Sequence, residues 1–195
     1  MILSFGNWLA QAYLAPRSSV RTLLAGGYGF REAMLMLVLG YVLGAAVGTL
    51  MLDVPENATG GALATHFSGI VSQILVFFIL SGLIFWVGRA AGGEGSLAGA
   101  QLATAWFGLV STVLAPLLVI AMPRPIVEEA VGEQPVITFE GGNGTLFFIL
   151  GALSLWLFSS AVAEVHGFRS IWKVAGVIIA IPACVMLIFA GLGGA

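Results

Sequence analysis

The chain has 195 residues, of which 59% are hydrophobic and only 8% charged, with a formal net charge of −2. Soluble domains carry about 25% charged residues, so this composition cannot cover a water-facing globule, and the mean hydropathy of +1.07 agrees. Water-soluble enzymes and binding modules are excluded, and so is nucleic acid, whose phosphates call for a basic face.

The first 30 residues form an N-terminal segment of their own. Phe5, Leu9 and Ala12 share a helical face, Pro16 interrupts the run, and Arg17 and Arg21 follow one turn apart. This pattern predicts short interfacial helices, with Trp8 and Tyr13 at headgroup depth and the arginines turned to anionic lipid. The positive charges come after the apolar run, the reverse of a secretory signal peptide.

Residues 31–195 hold five uncharged intervals: 33–52, 57–88, 95–123, 141–163 and 174–195. About 20 helical residues cross a hydrocarbon core of roughly 30 Å, and helices satisfy their own backbone hydrogen bonds there. The expectation is an all-α, polytopic membrane protein with five transmembrane helices behind the interfacial segment. The one long connection, 123–142, carries Pro123, Pro125 and Pro135 and an excess of glutamates. Within it, Val136–Phe139 reads as an extended stretch without a partner strand.

Loop charges set the orientation. Arg17, Arg21, Arg31, Arg89, Arg169 and Lys173 fall on one side, and Arg124 alone on the other. The positive-inside rule puts the N-terminus in the cytoplasm and the C-terminus outside.

Gly40, Gly44 and Gly48 recur every fourth residue in the first span, leaving a flat stripe for close backbone packing. Packing within the bundle is the first reading, and a homo-oligomer seam the second. Pro116 and Pro182 each remove a helical hydrogen bond and predict kinks. Trp8, Trp86 and Trp172 are expected at the cytoplasmic interface, with Trp106 and Trp156 deeper. Ser159 and Ser160 are expected to act as hydrogen-bonding glue.

Polar residues in or beside the spans are few: His66 and Gln73, then Gln101, then Glu164 and His166, with Arg89 and Lys173 in the flanking turns. Intramembrane ionisable groups are candidates for function. Here Glu164 lies at the end of its span, where an ion pair with Arg89, Arg169 or Lys173 would satisfy it. His66 and His166 face opposite sides of the bilayer, so they cannot share a metal. The lone Cys184 makes no disulfide, zinc cluster or redox pair. No metalloprotease, serine-elbow or nucleotide-loop motif is present. No catalytic residue, cofactor or metal is expected.

The stretch 150–182, and within it Glu164-Val165-His166-Gly167 followed by Ser170 and Lys173, resembles the last two helices of bacterial Yip1-domain proteins. Pro16 with its arginine-bearing segment, and the glycine-rich turn before Gln101 and Trp106, fit the same pattern. The resemblance implies a multi-pass protein of the bacterial cytoplasmic membrane with a cytoplasmic N-terminus. Eukaryotic relatives bind prenylated small GTPases through Asp-Leu-Tyr-Gly-Pro and Gly-Tyr-x-x-x-Pro motifs. This chain lacks the first, and Gly40-Tyr41 lacks the proline of the second, so GTPase binding does not carry over. The expected role is association with membrane lipids and other membrane proteins. The alternative is a transporter or channel component with a polar path through His66, Gln73, Gln101 and Glu164.

Overall fold

The computed structural model describes residues 5–51, 59–128 and 136–193, with side chains in 6–50, 67–123 and most of 141–187. Asp53, Glu56, Glu129, Glu133 and Pro135 lie outside the described residues. In chain order the elements are α1 (Phe5–Leu14), α2 (Pro16–Ala25), α3 (Phe30–Met51) and α4 (Thr59–Ala90), then α5 (Leu97–Thr112) and α6 (Ala115–Ala121). A hairpin of β1 (Arg124–Glu128) and β2 (Val136–Glu140) precedes α7 (Gly144–Val165) and α8 (Ile171–Gly193).

Local chemistry sets the helix ends. Pro16 opens α2 from the first turn, where its missing N–H costs nothing. The Ser96 hydroxyl accepts from the Gly99 N–H at 3.0 Å at the start of α5. The Asn143 side chain does the same for Leu146 at the start of α7, also at 3.0 Å. Each supplies a partner to an orphan N–H of the first turn.

Three helices are long and apolar enough to cross a membrane alone: Phe30–Leu50, Phe67–Ala90 and Gly144–Val165. The α5–α6 pair passes the same test jointly across a 61° bend. The described apolar part of α8, Ile171–Ile181, is shorter than a full span.

Near Pro116 the sequence predicts a kink, and the structure has a full break. Without an N–H, Pro116 cannot donate to the Thr112 carbonyl, and α5 stops at that residue. The last turn tightens, with Val113 bonding to Val110 and Leu114 to Ser111. The Val110 carbonyl, no longer bonded from Leu114, accepts the Tyr13 hydroxyl at 2.7 Å. Burial pushes the Tyr13 phenol up to about 12, so it remains a donor. Through Pro182, where the sequence also predicts a kink, α8 runs on as one helix.

The two halves of the broken helix together follow the whole of α7. At one end Val165 lies against Gly99; at the other the Asn143 N–H donates to the Ala121 carbonyl at 3.1 Å. The hairpin sits beyond that second end. Its antiparallel register, Arg124 opposite Glu140 through Glu128 opposite Val136, corrects the expectation that 136–139 has no partner. The fold is therefore all-α apart from this one small hairpin.

The core gathers around Trp106, which is completely buried with Phe77, Leu102 and Leu157. Val20, Leu23 and Ala12 belong to the same cluster, and the Trp106 indole N–H donates to the Ser19 hydroxyl at 3.1 Å. One face of α2 is thus core, and α2 does not merely lie on the headgroups. Trp156 and Trp8 pack against this core, whereas Trp86 and Trp172 are 72% and 79% exposed.

The glycine stripe packs within the chain, against α5. A Cβ on Gly40 would lie 3.3 Å from the Leu109 Cα, and one on Gly44 would lie 3.7 Å from the Thr112 methyl. At Gly48 nothing lies within 4 Å. Without water between helices, close van der Waals contact carries the packing. Gly40→Leu is therefore expected to destabilise the protein by roughly 1–3 kcal/mol. Gly48→Leu is expected to have little effect, both measured by thermal unfolding in detergent.

Candidate functional site

The polar residues converge where α7 ends, between α2 and the α4–α5 turn. Glu164, in the last turn of α7, accepts from Arg17 at 3.0 Å through one oxygen. It accepts from Arg21 at 2.6 Å and 3.1 Å through both. Arg17 also donates to the backbone carbonyls of Phe168 (3.0 Å) and Arg169 (3.3 Å). The Glu164 side chain is 10% exposed, against 29% for Arg17 and 67% for Arg21. A partly buried carboxylate bridged by two guanidiniums ties the N-terminal segment to the α7–α8 turn. This corrects one expectation: among the described residues Glu164 is held by Arg17 and Arg21, not by Arg89, Arg169 or Lys173.

His166, two residues on, is the C-cap of α7. Gly167, at φ +70°, takes the left-handed conformation. Its N–H reaches Glu164 while that of Phe168 reaches Ala163, which together satisfy the helix's last carbonyls. The end of α4 is built identically: Gly92 has φ +84°, and the N–H groups of Gly92 and Gly93 reach Arg89 and Gly88. The two helix ends meet through the histidine ring. A Cβ on Gly88 would collide with the imidazole, and one on Gly93 or Gly95 would come within 2.7 Å of it. Only glycine leaves room for the ring at all three positions.

The ring is almost fully buried and stacks on Phe168 at 5.6 Å. Neither nitrogen makes a hydrogen bond of good geometry. Burial lowers its pKa from the usual histidine range; the Ile84 backbone opposes this, and Arg89 adds to it. A neutral imidazole therefore fills the seam. The four residues of the sequence block thus play four different parts. Glu164 closes the clamp, Val165 packs against Gly95 and Gly99, His166 fills the seam and Gly167 forms the left-handed cap.

The remaining candidates are not brought together. Gln101 is buried in α5, with α5's Thr104 hydroxyl turned back to the Ala100 carbonyl at 2.8 Å. Gln73 is exposed on α4, and Arg89 and Lys173 are exposed at the helix ends. His66 belongs to α4, but its side chain lies outside the described residues. A cavity of about 580 Å³ is lined by none of Gln73, Gln101 and Glu164. Ser159 and Ser160 are buried without hydrogen-bond partners, contrary to their expected role as glue. Among the described residues, no three His, Cys, Asp or Glu side chains could share a metal.

The sequence names the members of this junction but not their assembly. The glycine cradle carried a signal, with Gly88, Gly92, Gly93 and Gly95 falling within eight residues. In a chain with 27 glycines that signal does not stand out.

No curated protein and no solved structure matches the chain. The Yip1 domain model matches residues 10–192, which takes in the arginines of α2, the glycine turn and the Glu164–Gly167 block alike. The chain belongs to the Yip1 domain family.

Proposed function

We propose that the protein is a five-span component of the bacterial cytoplasmic membrane, its N-terminus in the cytoplasm, which acts by lateral association with lipids and other membrane proteins and not by catalysis. The α5–α6 pair counts as one broken span, supported by its course along the whole of α7. The fifth span is α8, 23 residues long. The clamp and the His166 seam hold the cytoplasmic ends of the bundle together.

The observation that carries this reading is the wide apolar surface of α3 and α4. Only 17% of the most apolar stretch of each is buried within the chain. Leu35, Val38 and Leu39 on α3 and Leu75, Ile79 and Leu83 on α4 are exposed. Such contiguous apolar surface has to meet lipid or another apolar protein face. The ionisable junction is absorbed in holding helices and offers no free reactive pair.

Affinity purification of the full chain from mild detergent, with identification of retained proteins and lipids, tests it. Reproducible retention of a membrane protein, with no solute flux in reconstituted vesicles, is expected. Retention of nothing beyond an unrelated membrane protein's background, or substrate-specific flux, would contradict it.

A further inference from the structure

A groove of about 580 Å³ opens between α4 and α8, floored by Phe158 and Val162 of α7. Its walls are apolar: Leu80, Leu83 and Val87 on α4 face Val177, Ile178 and Ile181 on α8. The polar lining residues are Arg169 and Ser170, in the turn before α8, and Lys173 in its first turn. Among the described residues neither Arg169 nor Lys173 forms an ion pair, so two cations stand free at one mouth of an apolar slot.

We propose that this groove binds one anionic phospholipid of the cytoplasmic leaflet, its phosphate between Arg169 and Lys173 and its acyl chains along α4 and α8. The inference rests on the membrane-embedded reading above. Three features select this occupant. The volume is that of a small-molecule site, about 300–1,000 Å³. From Leu80 to the end of α4 the helix rises about 15 Å, half of a hydrocarbon core of about 30 Å. The slot therefore has the depth of one leaflet, whereas a partner helix would run on through the other. Finally, the charge lies at one end only, on the side that carries Arg17, Arg21 and Arg89. Basic pockets between helices at that level suit lipid phosphate, and the N-terminal end of α8 adds its partial positive charge. The Ser170 hydroxyl, which accepts from the Lys173 N–H at 3.3 Å, keeps its own proton to donate to a phosphate oxygen.

Native mass spectrometry of the full chain in detergent tests this, with phosphatidylglycerol and phosphatidylcholine of identical chains as probes. The wild-type protein is expected to hold phosphatidylglycerol more tightly. The double variant Arg169→Gln/Lys173→Gln is expected to lose roughly 25-fold in that affinity, about fivefold for each charge, and little for phosphatidylcholine. Val177→Trp, which fills the slot from an exposed position, is expected to weaken both lipids while helix content and unfolding temperature are retained. Equal binding of the two lipids, or full phosphatidylglycerol affinity in the double variant, overturns the proposal. So does a dimer that Val177→Trp abolishes, since a second copy would then occupy the slot. Alkaline extraction of membranes separates the two readings. Release of the chain sinks the membrane-embedded reading itself, whereas retention without lipid preference sinks only the groove.

Discussion

Glu164→Ala is expected to lose about 2 kcal/mol of stability and most of the folded yield, read as monodisperse protein in size-exclusion chromatography and as unfolding temperature in detergent. Removing one partner of a fully buried pair costs roughly 3–5 kcal/mol, because the other charge is left behind. Here the loss is smaller, since Arg21 is two-thirds exposed and can turn to water. Arg17 cannot leave so freely, being 29% exposed and also bonded to the Phe168 and Arg169 carbonyls. The alanine variant thus loosens both the N-terminal segment and the α7–α8 turn. Glu164→Gln is expected to lose less, because its amide oxygen still accepts from one arginine. Lys173→Ala, which removes an unpaired and exposed side chain, is expected to fold as the wild type does. Equal damage from Glu164→Ala and Lys173→Ala would contradict the clamp.

Gly88→Ala is expected to be the second severe substitution, at about 3 kcal/mol, the upper end of the usual range for overpacking. The added methyl has nowhere to go, because the ring it meets is itself enclosed by Gly93 and Gly95. His166→Ala alone is also expected to destabilise, by leaving a void that the surrounding backbone cannot close. The double variant Gly88→Ala/His166→Ala is expected to be more stable than the two losses added together, since each change relieves the other. A double-mutant cycle measures this coupling, which for residues in contact runs to about 0.5–3 kcal/mol. Simple additivity would show that the ring does not lie where the cradle puts it.

How much of this could be read beforehand differs between particular elements. The apolar stretches of α3, α4 and α7 were legible from hydropathy alone, because lipid imposes both length and composition. Glu164 was legible as an interfacial carboxylate needing a cation. Its partners were not, since Arg17 is 147 residues away and charge counting cannot rank six cations on the same side. Sequence proximity favoured Lys173 and Arg169, but these lie in the first turn of α8 and the turn before it, lining the groove shared with α4. Pairing of β1 with β2 was hidden by Pro125, which discourages a strand reading even though an edge strand accommodates it. Pro116 marked the place of the α5–α6 interruption, but the size of the bend depends on what captures the freed carbonyls. One captor, Tyr13, sits in a segment that composition assigned to the membrane surface.

The crossing made by α5 and α6 is where the topology is most exposed to test. Glu94 precedes this pair and Asn143 follows it. In a chain whose Cys184 is replaced by serine, Glu94→Cys and Asn143→Cys are each challenged with a membrane-impermeant maleimide on intact cells. Labelling of position 143 from outside, with position 94 reached only after permeabilisation, is the predicted result. Labelling of both positions from the same side would make α5–α6 a re-entrant loop and contradict the five-span protein.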